Sequence, residues 1–209
     1  MTIDRAGYPF IGGTAALAAA AALTVGSVGA VPLFVLAAFF LYFFRDPDRV
    51  SPQGSHLVLS PADGRVLVAG PADPKAAPPG EWKQISVFLS PADVHVNRAP
   101  VSGRVTKVDF RKGKFLPAYH RDAASTNERS EVWVDHLGLT VVFRQIVGIL
   151  ARRVVCRVQP GAELKAGERF GIMKFGSRMD VFLPPKAELK VKVGDSVIGG
   201  VTVVAVFIR

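Results

Sequence analysis

Residues 6–44 contain no Asp, Glu, Lys or Arg, and this feature limits the folds open to the chain more than any other. A bilayer core takes roughly 20 apolar residues per helix. The stretch is therefore long enough for two passes, one over residues 9–25 and a second over residues 32–44, turning at Gly26-Ser27-Val28-Gly29. The second is short: it spans only with Ala30-Val31 counted in, or else dips into the membrane. A cleaved signal peptide needs a basic start, a short apolar core and a small-residue cleavage site. Here Phe39-Phe40-Leu41-Tyr42-Phe43-Phe44 extends the apolar run past such a core, and ring side chains collect at membrane interfaces. A retained anchor over residues 1–45 is the expectation. A buried soluble hairpin is disfavoured, because the small remaining domain would have to cover too much apolar surface.

The formal net charge is +9. Such a balance fits nucleic acid or anionic lipid as a partner. Lys and Arg are scattered among strand-like segments, without a basic run or a nucleic-acid motif, so beside a membrane anchor the expected attraction is to anionic headgroups of membrane lipids. Arg5, Arg45 and Arg49 flank the apolar stretch and its turn is uncharged, which places both ends on the cytoplasmic face of a cell membrane. The one cysteine, Cys156, lies in a strand-like segment and is expected to be a core thiol.

Asp46-Pro47-Asp48 closes the apolar region, and Ser51-Pro52-Gln53-Gly54 reads as a linker into a second domain over residues 46–209. Runs at residues 64–68, 84–89, 103–110, 131–134, 139–145 and 154–158 are rich in β-branched and aromatic residues, with Gly, Pro and Asp turns between them. Residues 146–152 fit a strand continuation or a helical turn equally well. The predicted class is mainly β: a barrel- or sandwich-like core preceded by a membrane segment of one or two helices. Two weak repeats stand out. Ala62-Asp63-Gly64-Arg65-Val66 resembles Val101-Ser102-Gly103-Arg104-Val105, and the segment at Ala162 resembles that at Ala187. Glycine followed by valine, and later Gly194-Asp195, also fits hammerhead modules of the lipoyl- or biotinyl-carrying kind, although turns needing glycine at positive φ explain the repeats as well.

The segment with the most specific chemistry is Phe175-Gly176-Ser177. A hydroxyl pressed against the preceding carbonyl can exchange that amide for an ester, and glycine on the acyl side tolerates strain and does not block attack. Elimination from the ester leaves dehydroalanine, which hydrolyses to a pyruvoyl group. Its ketone forms a Schiff base with a substrate amine and accepts electrons as carbon dioxide leaves. The step needs a base and an orienting group. Asp63 in Ser60-Pro61-Ala62-Asp63-Gly64, His95 in Ser90-Pro91-Ala92-Asp93-Val94-His95, and His120 near Ser125-Thr126-Asn127-Glu128-Arg129 are the candidates. Each also has an ordinary structural explanation, a hydrogen-bonded histidine or an Asx turn. His56 and His136 lie in linker- or turn-like contexts and receive no role. No metal site is expected.

These segments, in this order, resemble the phosphatidylserine decarboxylases, and more narrowly their short, single-core, archaeal-type form. The resemblance runs over essentially everything after Asp46. It implies autocleavage between Gly176 and Ser177, giving a β chain of residues 1–176 and an α chain of residues 177–209 that stay together as a heterodimer, with room for a higher homo-oligomer. It implies a covalent pyruvoyl cofactor made from Ser177 and phosphatidylserine as substrate, decarboxylated to phosphatidylethanolamine in phospholipid biosynthesis. Asp63 and Ser177 match the first and last members of the family's Asp/His/Ser set. Longer bacterial members carry two histidines three apart where this chain has His95 and Arg98. Either His95 therefore serves both as cleavage base and as proton donor to the decarboxylated carbon, or His120 supplies the base. Arg98, Arg129 and Lys174 are candidates for holding the lipid phosphate.

Other readings remain beside this one. A lipoyl or biotinyl carrier would present Lys174, but Phe175 stands where a biotin carrier has its second Met. A membrane-anchored adaptor with a hammerhead domain would expect long helical heptads, which are absent. A decarboxylase of a related serine-headed lipid is a further alternative within the family, because the sequence does not read the lipid tail or backbone chirality.

Overall fold

The computed structural model describes residues 1–149, 154–174 and 176–208. Phe175 of the Gly-Ser segment, residues 150–152 of the segment 146–152, and Arg153 and Arg209 lie outside them. The chain divides into two compact units, Met1–Asp48 and Arg49–Arg209.

In the first unit, β1 (Thr2–Ile3) pairs with β2 (Arg45–Asp46), closing a hairpin of α1 (Tyr8–Thr24) and α2 (Ser27–Phe43). Small residues line the helix contact: Ala18, Ala30 and Ala37 are buried, as apolar helices require when dispersion rather than hydrophobic force holds them. At the closed end Phe10 packs on Phe40 and Phe44, each with ring centroids 5.4 Å apart. The outer faces expose Leu17, Leu23, Val28, Phe34 and Val35, so the hairpin is apolar all round. The helical run Arg5–Thr24, 20 residues, is long and apolar enough to cross a membrane; Ser27–Phe43 is shorter. The second helix begins five residues before Pro32, where the sequence had placed its start. Gly26, at φ +85°, makes the turn by itself, and Pro32 keeps a helical φ at the loss of one backbone hydrogen bond.

The second unit is β-rich. It runs β3 (Leu57–Leu59), β4 (Gly64–Pro71), β5 (Lys83–Leu89), β6 (Val96–Arg98) and β7 (Gly103–Arg111). A one-turn helix, α3 (Ala123–Thr126), precedes the hairpin of β8 (Arg129–His136) and β9 (Leu139–Val147). Then come β10 (Val154–Cys156), β11 (Glu163–Leu164), β12 (Arg169–Met173) and β13 (Ser177–Leu183). The last three are β14 (Ala187–Leu189), β15 (Ser196–Val197) and β16 (Val203–Phe207). Eight of these strands form one curled antiparallel sheet in the order β11-β7-β8-β9-β13-β5-β4-β15, a half-barrel flanked by the three-stranded sheets β10-β12-β6 and β14-β16-β3. The mainly β class and the apolar amino terminus agree with the sequence reading.

The core lies on the concave side, where Ile85, Val87 and Leu89 of β5 meet Met179, Val181 and Leu183 of β13, with Phe143 edge-on to Phe170 at 4.8 Å. The first repeat has a physical cause. Gly64 (φ +144°) and Gly103 (φ +145°) open β4 and β7, and a Cβ on either would sit 1.9 Å from the Phe88 carbonyl oxygen or 2.2 Å from that of Asp135. Cys156 is only partly buried, against the core margin. His136, read as turn-like, ends β8 instead; its ring is buried between the carbonyls of Ser102 and Ser55 and stacks on Phe207 at 5.3 Å.

The convex face of β13 carries a buried polar network. Arg178 Nε donates to Asp180 at 2.6 Å and its Nη2 to Ser86 at 2.9 Å, while Gln84 donates to Asp180 at 3.1 Å. Beside it Arg144 pairs with Glu131 and lies over the Phe182 ring at 4.7 Å. Between β7 and β8 the connection 112–128 folds back onto the sheet edge, where Asn127 fixes it. The Asn127 amide accepts from Leu116 N–H at 3.0 Å and donates to the carbonyls of Leu116 and Val147, both at 2.8 Å. Asn127→Ala is expected to cost about 1–3 kcal/mol, the penalty for unmade buried hydrogen bonds. Denaturant unfolding reads that loss, and hydrogen exchange should speed up at Leu116 before the core strands.

Candidate active site

Register brings His95 to the segment entering Ser177 and sets Asp63 at the same sheet edge. Ser177 opens β13 and faces Leu89 of β5 on one side and Val147 of β9 on the other. Arg65 pairs with Phe88, and Gly64 with Val197, so Asp63, immediately before β4, stands at the same edge of the sheet. His95 arrives from a different sheet. Val96 pairs with Ile172, and Met173 N–H donates to the His95 carbonyl at 3.3 Å, which lays His95 along the segment leading into Ser177.

The His95 ring is fully buried. Its Nδ1 lies 2.9 Å from the Asp93 carbonyl, which can only accept, so Nδ1 carries the proton and Nε2 keeps a lone pair. Gly176 N–H donates to that Nε2 across 3.4 Å, a long contact. One residue on, Ser177 Oγ is buried and has no hydrogen-bond partner among the described residues. A hydroxyl held in that way costs about 1–3 kcal/mol, and functional sites are where such a cost persists. Between them Gly176 has φ +71°, a conformation in which any side chain would be strained. Its carbonyl oxygen packs on Gly148: a Cβ there would stand 2.4 Å from it, and 3.3 Å from the Ala118 methyl. Gly148 therefore gives the Gly176 carbonyl its space.

Asp63 is held by groups the sequence did not single out. Arg49 donates to both carboxylate oxygens, at 2.6 and 2.8 Å, and also to the Gly199 carbonyl at 2.6 Å. Gly199 N–H adds a third bond to Asp63 at 2.8 Å. Arg49 had been read only as a flanking positive charge; nothing in its neighbours betrays a partner fourteen residues on. A groove of about 410 Å³ opens here, lined by Asp63, Arg65, Phe88, Ser90 and Asp93.

The other candidates lie elsewhere. His120 is half-exposed on the 112–128 connection, its Nδ1 accepting from Asp122 N–H at 3.2 Å. Lys174 is partly buried in the link between β12 and β13. Arg98 is buried and donates to the Gly167 carbonyl at 3.1 Å, beside a basic cavity of about 860 Å³ that Arg49, Lys165 and Arg169 also line. Arg129 donates to the Ser125 carbonyl at 2.9 Å. Burial first, then the nearby Arg144 and Arg111, lower its guanidinium pKa below the ordinary value, against the pull of Glu131 and Asp109. Two further buried amides face each other near the site: Gln145 donates to Asn97 at 2.8 Å, leaving Gln145 Oε1 and Asn97 Nδ2 without partners among the described residues. Met179 pairs with Gln145, so that amide is a diagonal neighbour of Ser177 on the same face.

Arg49→Ala should release the Asp63 carboxylate from two charged hydrogen bonds and cost about 1.5–3 kcal/mol, read as a lowered melting temperature. Arg49→Lys, which cannot grip both oxygens, should recover only part of it.

A family model described as phosphatidylserine decarboxylase matches residues 36–205. Among similar curated proteins is a phosphatidylserine decarboxylase proenzyme of Solibacter usitatus (strain Ellin6076), 44% identical over 193 residues, which cover 91% of each chain. A proenzyme so named from Geotalea daltonii (strain DSM 22248 / JCM 15807 / FRC-32) is 40% identical over 202 residues, 96% of this chain and 94% of its own. One from Pelodictyon phaeoclathratiforme (strain DSM 5477 / BU-1) is 43% identical over 168 residues, 80% and 78% of the two. With a match this long and relatives this close over nearly their whole length, the chain belongs to the phosphatidylserine decarboxylase family.

Proposed function

We propose that the chain is made as a proenzyme, cleaves itself between Gly176 and Ser177, and then decarboxylates phosphatidylserine to phosphatidylethanolamine and carbon dioxide at the cytoplasmic face of a cell membrane. The observation that carries this reading is the buried Ser177 Oγ, without a hydrogen-bond partner among the described residues, beside a left-handed Gly176 and the lone pair of His95 Nε2.

In the cleavage step Ser177 Oγ attacks the Gly176 carbonyl carbon and its proton passes to a base. His95 is the better placed of the two histidines, since its Nε2 is unprotonated and touches the adjoining amide, whereas the His120 ring is half in solvent and bonded to Asp122. The amide C–N bond breaks as the proton is handed to the nitrogen of residue 177, leaving an ester between Gly176 and the serine oxygen. Removal of the proton on Ser177 Cα then breaks the Cβ–O bond, frees the Gly176 carboxylate and leaves dehydroalanine. One water enters and one ammonia leaves to give the terminal ketone. Gly148 supports the first step by letting the Gly176 carbonyl sit against backbone, and Asp63, fixed by Arg49, supplies the negative charge at this edge.

The residues fit a pyruvoyl group at position 177: Ser177 is buried, as are His95, Asn97 and Gln145, and Gln145 Oε1 and Asn97 Nδ2 have no partners among the described residues. When present, that group supplies an electron-accepting ketone for the substrate's amine and for the charge left as carbon dioxide departs. His95 then holds a proton at Nε2 for the decarboxylated carbon. Pocket walls that exclude water protect that carbon from side reactions. The cleaved α chain needs no covalent tie, because β13 lies between β5 and β9, β15 beside β4, and β16 beside β3, all strands of the β chain.

Denaturing intact-mass measurement decides the matter. The wild-type chain is expected as two species divided between Gly176 and Ser177, the smaller blocked at its amino end and trapped on phosphatidylserine by cyanoborohydride. Ser177→Ala should stay one intact, inactive chain. His95→Gln should slow cleavage by about 10²–10⁴-fold, the usual worth of a general base. Gly148→Ala should slow it at least tenfold, because the added methyl displaces the Gly176 carbonyl. A single full-length wild-type chain that nonetheless decarboxylates the lipid would sink the proposal.

A further inference from the structure

The sheet edge that begins β13 at Ser177 also ends β9 at Val147, begins β8 at Arg129 and ends β7 at Arg111. The register makes this so, pairing Ser177 with Val147, Arg129 with Ile146 and Arg111 with Arg129. The connection leaving β7 here is anchored back over the edge by the Asn127 amide, by Tyr119 against Phe88 with centroids 5.8 Å apart, and by Ala118 beside Gly148. On this frame stand Phe110, Phe115, Tyr119 and Ile149, with 52%, 40%, 64% and 56% of their surface exposed. All four belong to the strand ends and connections of this edge, and exposed apolar side chains placed together along one edge mark an interaction surface.

The charge between them has one sign. Residues 110–121 hold Arg111, Lys112, Lys114 and Arg121 and no Asp or Glu. Of the acids nearby, Asp109 is paired with Arg111 at 3.1 Å and with Lys107 at 3.7 Å, Asp122 lies 3.9 Å from the His120 ring, and Glu128 donates its N–H to the Lys114 carbonyl at 3.1 Å. The segment keeps an excess of cations over acids. Behind them Arg129 feels Arg111 and Arg144 as like charges. Rings that sit at a headgroup interface, interleaved with cations and mounted on a fixed loop, match the chemistry of an anionic bilayer surface.

We infer that residues 110–121, with Ile149, form a docking surface for an anionic lipid bilayer and set the reactive edge at Ser177 against it. This rests on phosphatidylserine being the substrate: its acyl chains hold it in the bilayer, so its headgroup is met at the membrane surface. The amino-terminal helices tether the chain, but a tether alone leaves open which side of the β unit meets the lipid. The docking edge answers that, and its salt sensitivity separates it from a purely apolar tether, since surface charge is screened within about 10 Å at 0.1 M salt.

The test uses the full chain and the variant Lys112→Glu/Lys114→Glu/Phe115→Ser. None of these side chains lines the groove at Asp63. Two substrates are compared, phosphatidylserine in vesicles of mixed phosphatidylserine and phosphatidylcholine, and a short-chain phosphatidylserine that dissolves as a monomer. Expected is a drop of about tenfold or more on vesicles, with turnover of the monomeric lipid unchanged. Equal loss on both, or loss on neither, overturns the inference. If the wild type turns over neither substrate, the proposed function fails instead, and docking is read independently. A Phe115→Trp chain should then show fluorescence quenching by brominated lipid in anionic vesicles, weakened by Lys112→Glu/Lys114→Glu and by salt. No quenching there overturns docking.

Discussion

The pairing of β13 with both β5 and β9 is the constraint on which the proposed reactive edge depends. Buried along its whole length, β13 has no freedom to shift, so its first residue, Ser177, is fixed as firmly as its core residues Met179 and Val181. That rigidity keeps the Ser177 hydroxyl buried next to Gly176 without a hydrogen-bond partner among the described residues, an arrangement that a looser strand would relax. Under the proposed cleavage it would also keep residues 177–209 in place, since strand pairing and burial would still hold β13 without the bond to Gly176.

Charge is arranged around that strand in two ways. On its convex face the Arg178–Asp180 pair, with Ser86 and Gln84, satisfies itself internally, and neighbouring Arg144 is matched by Glu131. Losing one partner of such a pair strands a buried charge, which is costlier than never having built the pair. At the reactive edge the balance differs: Asp63 is the acid and Arg49 its counterpart, while the 110–121 segment is cationic without internal compensation. The first arrangement stabilises the sheet. The second leaves positive charge facing outward, where an anionic surface would relieve it.

Much of the fold was legible in local pattern. The uncharged stretch announced the helical hairpin, and β-branched runs between turn residues located β4, β5, β7, β8 and β9 within a few residues. The second helix began early because Ser27, Val28 and Gly29, read as part of the turn, already belong to the helix. The glycine repeat was visible, but its cause was not: Gly64 and Gly103 are needed because the Phe88 and Asp135 carbonyls approach, and those carbonyls belong to other strands.

What the sequence determined by itself was chemistry and class: an apolar amino terminus, a β core, and a Gly176-Ser177 pair accompanied by Asp63 and His95 in an order that resembles one enzyme family. These follow from side-chain type and short-range spacing, which a linear chain displays openly. Only the tertiary structure decided which histidine ring faces Gly176, that Arg49 grips Asp63, that Gly148 makes room for the Gly176 carbonyl, and that basic and aromatic residues gather at the edge holding Ser177. Each of these depends on strand register between segments tens of residues apart, and register is set by the collective burial of the core rather than by any local run of residues.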